Sequence, residues 1–370
     1  MRKLSNPLFA IGISLALFAS NVFAEFQWTD ASRKMMASVT KQLEEGLNTL
    51  KQMQNAPEKS VAPFGKDKAY YQSRMAVILG KVSVALDVSD INVLNEQIKT
   101  LNKKMEEEES KISALREKAA FGGKNVTSDI KSREDKVDAY SRQIGEIKEK
   151  LRAELERIGV VLDDDQLESL LTNVIADDFI SMSIIFNNIG VIATKLGELM
   201  QNGNEDLVYA KKYYGMYMLL LQTLDGIQND FINKIQNRYI PAINRIKREA
   251  NLNIQEAKAG ITSKRGNEET LTRNINSNTI TIKAADLYLK QLTQQRNSIK
   301  AKNDQVRKDL FASQNTLKTV NTSFEMYGMM KKSMSEFNQI ANIAPPQFIK
   351  FDNKQIEQEF TKMTATIKNN

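Results

Sequence analysis

The chain reads INVLNEQIKTLNKKMEEEESKISAL over residues 91–115, where apolar residues recur at alternating spacings of three and four. This heptad pattern is typical of a helix that packs along one stripe against another helix, and Glu108 is a polar defect in it. A second heptad pattern covers residues 130–158, and the sequence FGGKN at 121–125 between the two is a turn signal. The two patterns therefore predict an antiparallel helical hairpin with its tip near residue 122.

The second half of the chain has the same organisation. Residues 205–262 have a helical pattern with an expected kink at Pro241, and the sequence SKRGN that follows predicts another hairpin tip near residue 265. From residue 275 a seven-residue repeat continues for about 65 residues, which predicts a helix roughly 100 Å long. Polar residues at four seam positions can fix the register of the packed helices. These positions are Asn278, Arg296, Asn303 and Ser313.

Three further features fit long helices. Residues 29–54 place their apolar side chains on one helical face and are followed by a linker rich in helix breakers at 55–65. The acidic run at 163–165 predicts a helix start, because acidic residues favour the positive end of the helix dipole. Three adjacent carboxylates on a helix cannot all face one metal ion. Proline is absent from residues 64–240 and 242–344, as expected of uninterrupted helices.

The composition excludes several kinds of chemistry. The 370 residues include no cysteine and no histidine, which excludes disulfides, thiol nucleophiles, Ser-His-Asp catalysis and most zinc and haem sites. The sequence has no glycine-rich phosphate loop and no G-x-S-x-G nucleophile motif. The net charge of +7 is dispersed along the chain, whereas nucleic-acid binding needs basic clusters on one face. We therefore expect no enzymatic activity, cofactor, metal or nucleic-acid partner.

The first 24 residues are typical of a signal peptide. Residues 1–3 are basic, residues 8–19 are apolar, and the small-residue pattern at 22–24 fits a cleavage site. The apolar run is shorter than the 18 or so residues that a membrane anchor needs, which favours cleavage after Ala24 over an uncleaved anchor. We expect a secreted protein whose soluble form converts to a membrane-bound one.

Two uncharged runs flank a predicted turn near residue 200. They read FISMSIIFNNIGVIAT at 179–194 and YYGMYMLLLQTL at 213–224. Neither reaches the length of an ordinary transmembrane helix. Both are apolar nearly all round, however, so each must be deeply buried or must meet lipid.

The two runs have two interpretations. One is a locally thicker core, covered by residues 29–54 and 310–340. The other is a membrane-active head that is sheltered in the soluble form, and the pattern leaves open whether this head is a helical hairpin or a β-tongue. The candidate membrane-inserting residues are Phe179, Ile180, Met182, Ile184, Ile185, Phe186, Ile189, Val191, Ile192, Tyr213, Tyr214, Met216, Tyr217, Met218, Leu219, Leu220 and Leu221.

These patterns predict an all-α fold, in which an elongated bundle of long antiparallel helices forms a tail and the mid-chain segment forms a hydrophobic head. The predicted mid-chain turn lies at the opposite end of the rod from the two hairpin tips. The predicted division is a signal peptide at 1–24, the first half of the tail at 25–175, the head at 176–226, the second half of the tail at 227–350 and a C-terminal tail at 351–370.

A signal peptide, long helices, absent cysteines and a mid-chain hydrophobic hairpin together resemble the α-helical pore-forming toxins of the cytolysin A and haemolysin BL superfamily. Within that superfamily, the chain resembles the motility-associated killing factor and xenorhabdolysin-like proteins. The resemblance is architectural and covers most of the chain after residue 24. It implies a tail of four or five long helices and a head, corresponding to 179–194 and 213–224, that inserts into a target membrane after rearrangement.

The same resemblance implies homo- or hetero-oligomers with related toxin components, and in single-component members a helix corresponding to residues 29–54 lines the pore. The alternative interpretation is an exported coiled-coil structural or adaptor protein of the cell envelope. That alternative explains the heptads and the export equally well. It does not explain the uncharged runs in the middle of the chain.

Overall fold

The computed structural model describes residues 30–60, 65–121, 126–202, 207–319 and 353–368. These residues are helical apart from short connections, and they include no strand, which confirms the all-α prediction for the described chain. The helices are α1 (Asp30–Gln54), α2 (Lys68–Leu86), α3 (Asp90–Ala120), α4 (Thr127–Arg157), α5 (Asp164–Leu171), α6 (Ala176–Asn202), α7 (Leu207–Lys234), α8 (Ile240–Thr262), α9 (Glu268–Thr319) and α10 (Lys354–Lys368), with a π-helical turn at Ile235–Tyr239.

Several predictions fall outside the described residues. They are the signal peptide at 1–24, the glycine pair of the first tip, and the extension of the last long helix beyond Thr319. Within the described part, α9 alone has 52 residues, a length of about 78 Å at 1.5 Å per residue.

The first predicted hairpin is confirmed. Helices α3 and α4 pack along each other, and ion pairs cross between them where Arg116 Nη2 lies 2.8 Å from Glu134 and Arg133 Nη1 lies 2.6 Å from Glu108. The polar defect in the heptad pattern is therefore a buried carboxylate with two cations, since Lys111 Nζ also lies 2.7 Å from Glu108. A buried charge is tolerated when it is paired in this way.

The irregularity expected at Pro241 is a widened turn. Proline has no N–H and its ring clashes with the carbonyl four residues earlier. The helix relieves this clash by a π-helical turn at Ile235–Tyr239, in which the backbone N–H of Ile240 donates to the carbonyl of Ile235. Pro241 then lies in the first turn of α8, where a missing donor costs little. The chain from α7 to α8 therefore continues as one rod with a local change of pitch.

The second tip also lies where the sequence places it. After α8 ends at Thr262, Lys264 has φ 53° and Gly266 has φ 91°, so the chain reverses through left-handed residues. Asn267 caps the next helix, because its side chain accepts a hydrogen bond from the backbone N–H of Thr270 at 2.9 Å. Helices α8 and α9 then pack as a hairpin.

The acidic run at 163–165 starts a helix as predicted. The side chain of Asp163 accepts a hydrogen bond from the backbone N–H of Gln166, and the Gln166 side chain accepts one from the backbone N–H of Asp163, both at 2.9 Å. This reciprocal capping box fixes the start of α5. The short helix α5 then leads the chain from the first hairpin into α6.

The core surrounds α6 and α7. These two helices pack on each other, α7 also contacts α1, α2 and α9, and α6 also contacts α2 and α3. Helix α3 meets α6 near its own start, where Asn95 Nδ2 donates to Asp177 at 3.0 Å, and then continues away with α4 as its partner. The last residue of α6 lies about 38 Å from this contact along the helix, so the first hairpin meets the core at the start of α6.

Replacing Glu108 with glutamine tests the buried carboxylate. Lys111 and Arg133 hold the pKa of Glu108 below its ordinary value, so this carboxylate stabilises the fold above its ordinary pKa and loses that effect as the pH falls through its pKa in the folded state. We expect E108Q to lower the melting temperature by a few degrees at neutral pH, and the difference from the original chain to shrink below about pH 4. Thermal denaturation followed by circular dichroism measures both effects.

The matched control is E107Q, because Glu107 is the exposed neighbour in the same acidic run. We expect this control to unfold within about one degree of the original chain at every pH. Equal losses in the two variants would contradict the role given to Glu108.

Candidate membrane-insertion site

The two uncharged runs form most of α6 and the middle of α7, and both are helical. This decides between the two conformations that the sequence leaves open, in favour of a helical hairpin in this form of the protein. Of the candidate membrane-inserting residues, Tyr213 is half-buried and all the others are buried. The structure therefore brings these residues together in the centre of the core.

Helix α1 covers the hairpin through a reciprocal pair of glycines. A Cβ atom on Gly215 of α7 would stand 2.6 Å from Cδ2 of Leu47, and a Cβ atom on Gly46 of α1 would stand 2.7 Å from Cδ1 of Leu219. Each leucine thus fills the space that the opposite glycine leaves. The absence of two side chains lets α1 approach α7 closely, which confirms that residues 29–54 cover the mid-chain hairpin, within the part described from residue 30.

Helix α2 covers α6 and bonds to it at its carboxyl end. Asn188 Nδ2 donates to the carbonyl oxygen of Leu86 at 2.7 Å, and Ser181 Oγ donates to Asp87 at 2.5 Å. The Leu86 carbonyl belongs to the last turn of α2, where carbonyls have no partner within the helix. This one hydrogen bond therefore gives a partner to two buried polar groups, the Asn188 amide and the Leu86 carbonyl.

Helix α9 covers α7 with a mixed surface. Asn303 Nδ2 donates to Asp225 at 2.8 Å and to Gln228 at 3.1 Å, and Arg307 Nε donates to Asp225 at 2.8 Å. These bonds give Asn303 the register-fixing role expected of a polar seam position. They also place charged and amide groups beside the second uncharged run, at the point where it ends.

The same helix also buries two amides that lack partners. The side chains of Gln291 and Gln295 are buried, and their oxygen and nitrogen atoms form no hydrogen bond within the described part of the chain. The buried hydroxyl of Tyr214 in α7 also forms no hydrogen bond within the described part of the chain. Each such group costs about 1–3 kcal/mol relative to a satisfied one. Of these three residues Tyr214 alone lies in the hairpin, and its unpaired hydroxyl makes the packing there less stable than the apolar contacts alone would make it.

Two carboxylates at the start of α6 bind the neighbouring helices. Asp177 lies 2.8 Å from Lys99 of α3, and Asp178 lies 2.8 Å from Lys234 of α7 and accepts a hydrogen bond from Tyr239 at 2.6 Å. Burial and the Asp178 carboxylate raise the pKa of the Tyr239 hydroxyl, which therefore stays protonated as a donor. Acidic residues at a helix start are also stabilised by the helix dipole.

The opposite end of the hairpin exposes apolar side chains. Leu199 near the end of α6 and Val208 and Tyr209 at the start of α7 are exposed, and the Tyr209 ring stacks on Tyr213 with 6.3 Å between ring centroids. Residues 203–206 between the two helices lie outside the described residues. An exposed tyrosine with apolar neighbours suits the boundary between water and lipid.

Helix α6 is longer than its uncharged run suggests. Among the described residues, Ala176–Leu199 is the one helical stretch that is long and apolar enough to cross a bilayer by length and composition. The uncharged run at 179–194 itself remains shorter than an ordinary membrane span, and the helix reaches that length because it extends beyond the run at both ends. The buried core helix of a soluble protein has the same length and composition, and most of this stretch is buried.

The polar groups of this site serve to hold helices together. Within the described ranges, no cluster of three or more acidic side chains is placed to hold a metal ion. Sequence reasoning missed the glycine pair, the bond from Asn188 to Leu86 and the carboxylates at the start of α6. Asn188 alone gave a signal, because an amide inside an apolar run needs a partner on another helix.

Replacing Asn188 with alanine tests how α2 is held on α6. The substitution leaves the buried Leu86 carbonyl without a donor, so we expect a loss of about 1–3 kcal/mol in the free energy of unfolding. The control is N187A, because Asn187 is half-buried and makes no hydrogen bond within the described residues. Urea denaturation followed by circular dichroism compares the two, and equal losses would show that the bond does not hold the helices together.

Comparison with known proteins assigns no function to this chain. The sequence matches no protein-family model, no curated protein and no solved structure. The resemblance to α-helical pore-forming toxins therefore rests on architecture, and any function has to be argued from the hairpin and its cover.

Proposed function

We propose that this protein is a secreted pore-forming cytotoxin, or one component of such a toxin. In this proposal α6 and α7 leave their cover on contact with a target membrane, insert into the lipid, and several protomers then associate. The observation that carries it is a pair of adjacent helices, apolar on nearly all sides, that separate amphipathic helices keep from water.

Surface energetics allow release into lipid and oppose release into water. Exposing apolar surface to water costs about 25 cal/mol per Å², and the buried faces of α6 and α7 are almost wholly apolar. Lipid tails are as apolar as these side chains, so transfer from the protein core to a bilayer avoids most of that cost. The hairpin would therefore stay covered in solution and open at a membrane.

The cover has features that favour separation. Between α1 and α2, the described residues 55–60, which include Pro57, are not helical. The buried hydroxyl of Tyr214 in α7 forms no hydrogen bond within the described residues, and opening would let it bond to water or to lipid headgroups. Opening therefore recovers part of the free energy that is lost when packed side chains separate.

The charges that frame the hairpin set how it meets a bilayer. The uncharged run of α6 is about 24 Å long and that of α7 about 18 Å, whereas the hydrocarbon core is about 30 Å thick. Lys211 and Lys212 flank the α7 run, and lysines near helix ends extend toward the headgroups. Runs this short fit partial insertion or a locally thinned bilayer, and such insertion becomes stable when protomers associate.

The second candidate function is an exported structural or adaptor protein of the cell envelope. The observation that favours it is the burial of all but one of the candidate inserting residues, because a core of this kind explains an apolar hairpin without any membrane. This candidate predicts no leakage of vesicles at any concentration, alone or with co-secreted proteins.

Because the candidate inserting residues are buried, charged substitutions are not a suitable test of membrane insertion. Introducing aspartate at Ile185 and Leu220 would unfold the soluble form, because both side chains are at least 97% buried. A reversible lock is better suited. The chain has no cysteine of its own, so a disulfide between introduced cysteines is the one covalent cross-link that can form.

The lock joins α1 to α7 at the glycine contact, by L47C with G215C. We expect the oxidised variant to lose at least about nine-tenths of the leakage that the original chain causes in dye-filled vesicles, because α7 cannot leave α1. Reduction should restore leakage. Release of dye from vesicles that contain anionic lipid measures the effect.

The single variants L47C and G215C, treated with the same oxidant, control for side effects of the substitutions. Leakage by the locked protein equal to that of its reduced form would contradict release of the hairpin. No leakage by the original chain, alone or with co-secreted proteins, would favour the structural candidate.

A further inference from the structure

The outer face of α2 carries no charge over four turns. Its exposed positions between residues 69 and 84 lie within a continuous arc of the helix, and Arg74 and Lys81 stand at one border of this arc. The residues of this outer face are Ala69, Tyr70, Ser73, Ala76, Val77, Gly80 and Val84. Because the inner face of α2 is apolar as well, α2 presents two uncharged faces, of which the core covers one.

This face differs from other exposed apolar positions. Val77 and Val84 are 60% and 74% exposed and lie seven residues apart on the same side of α2. Leu252 on α8 and Phe311 on α9 are equally exposed, but each is surrounded by charged and amide residues on its helix. A single exposed apolar residue is ordinary, whereas a contiguous uncharged face on a folded surface indicates a partner.

A groove runs beside the two valines. It has a volume of about 500 Å³ and lies between α2, α6 and α7, with Gly80 and Ser83 on one wall and Gly226 and Phe231 on the other. A Cβ atom on Gly80 would meet no atom within 4 Å. The groove is therefore open at Gly80, where α2 has no side chain. Met182 and Ile185 of α6 give it an apolar floor.

We propose that this outer face of α2 packs against the same face of a second copy of the chain. The valine ridge and the open groove are neighbours on one helix, so a twofold arrangement places the ridge of each copy in the groove of the other. Both faces of this contact come from a single surface, which is the requirement for an isologous dimer.

Charges at the borders fit a second copy better than a lipid surface. Lys81 stands beside the valine ridge and forms no ion pair within the described part of the chain. On the far rim of the groove, Asp178 and Asp230 share one cation, Lys234, so the rim keeps an excess of one negative charge. In the twofold arrangement each Lys81 approaches this rim in the other copy, whereas an excess of negative charge disfavours an anionic bilayer.

The inference does not rest on membrane insertion, because the face exists in the covered form of the protein. Sedimentation equilibrium of the purified full chain tests it over a range of concentrations. We expect a reversible dimer, and we expect V77D with V84D to weaken association by more than about tenfold, since each ridge would then bring two carboxylates into the groove of the other copy, beside Asp178 and Asp230. The control is L252D, at an equally exposed leucine, which should leave association unchanged.

Cross-linking gives a second measurement that does not depend on the charged variants folding. In a chain without cysteine, a mixture of V77C and S83C chains should form a mixed disulfide under mild oxidation, because Ser83 lines the groove that receives the ridge, whereas a mixture of L252C and S83C chains should not. A chain that stays monomeric at all concentrations would overturn the inference, as would equal cross-linking in the two mixtures. Loss of vesicle binding by V77D with V84D, without any change in association, would overturn it in favour of a lipid contact.

Discussion

Two neighbouring helices that are apolar on nearly all sides must be covered, and the rest of this structure follows from that constraint. A helix in a thin bundle normally buries one stripe, but α6 and α7 each need partners on several sides. Helices α1, α2 and α9 supply them, each with the apolar side that faces the core. The two long hairpins then extend outward from this centre, held along their length by narrow seams and cross-hairpin ion pairs.

The cover combines close packing with incomplete hydrogen bonding. The reciprocal glycines bring α1 against α7, and Asn303 and Asn188 fix α9 and α2 in register. Against this, the buried hydroxyl of Tyr214 forms no hydrogen bond within the described residues, and an unpaired hydroxyl in a low-dielectric core is costly. A phenylalanine at this position would avoid that cost. The cover is therefore less than maximally stable.

The sequence predicts those parts of the fold that depend on local periodicity. The heptads of residues 91–158 and the tip near 265 follow from helix geometry and turn chemistry, and both are found in the structure. Where a kink was expected at Pro241, the structure has a π-helical turn just before it. The break between α2 and α3 was not predicted, because apolar residues continue through it and Ser89 caps the new helix by its side chain alone.

The candidate site was predictable as a segment and not as an assembly. Its apolar runs are visible in the sequence, but the partner of Asn188 and the contact of Gly46 with Leu219 depend on which helices meet. Such contacts join residues more than a hundred positions apart, and no period in the chain encodes them. The acidic residues at the start of α6 suit the helix dipole, but the cations of α3 and α7 that they bind cannot be read from the sequence.

Helix α2 connects the two proposals made for this protein. Its inner face holds α6 through Leu86, and its outer face is the proposed contact with a second copy. Binding a second copy would stabilise whichever state presents the intact groove, and the groove needs α2, α6 and α7 in their covered arrangement. By linkage, association through α2 would oppose release of the hairpin by the same free energy with which the covered state favours association. A membrane would then have to overcome the contact between copies as well as the cover, so the outer face of α2 would act as a safeguard against opening in solution.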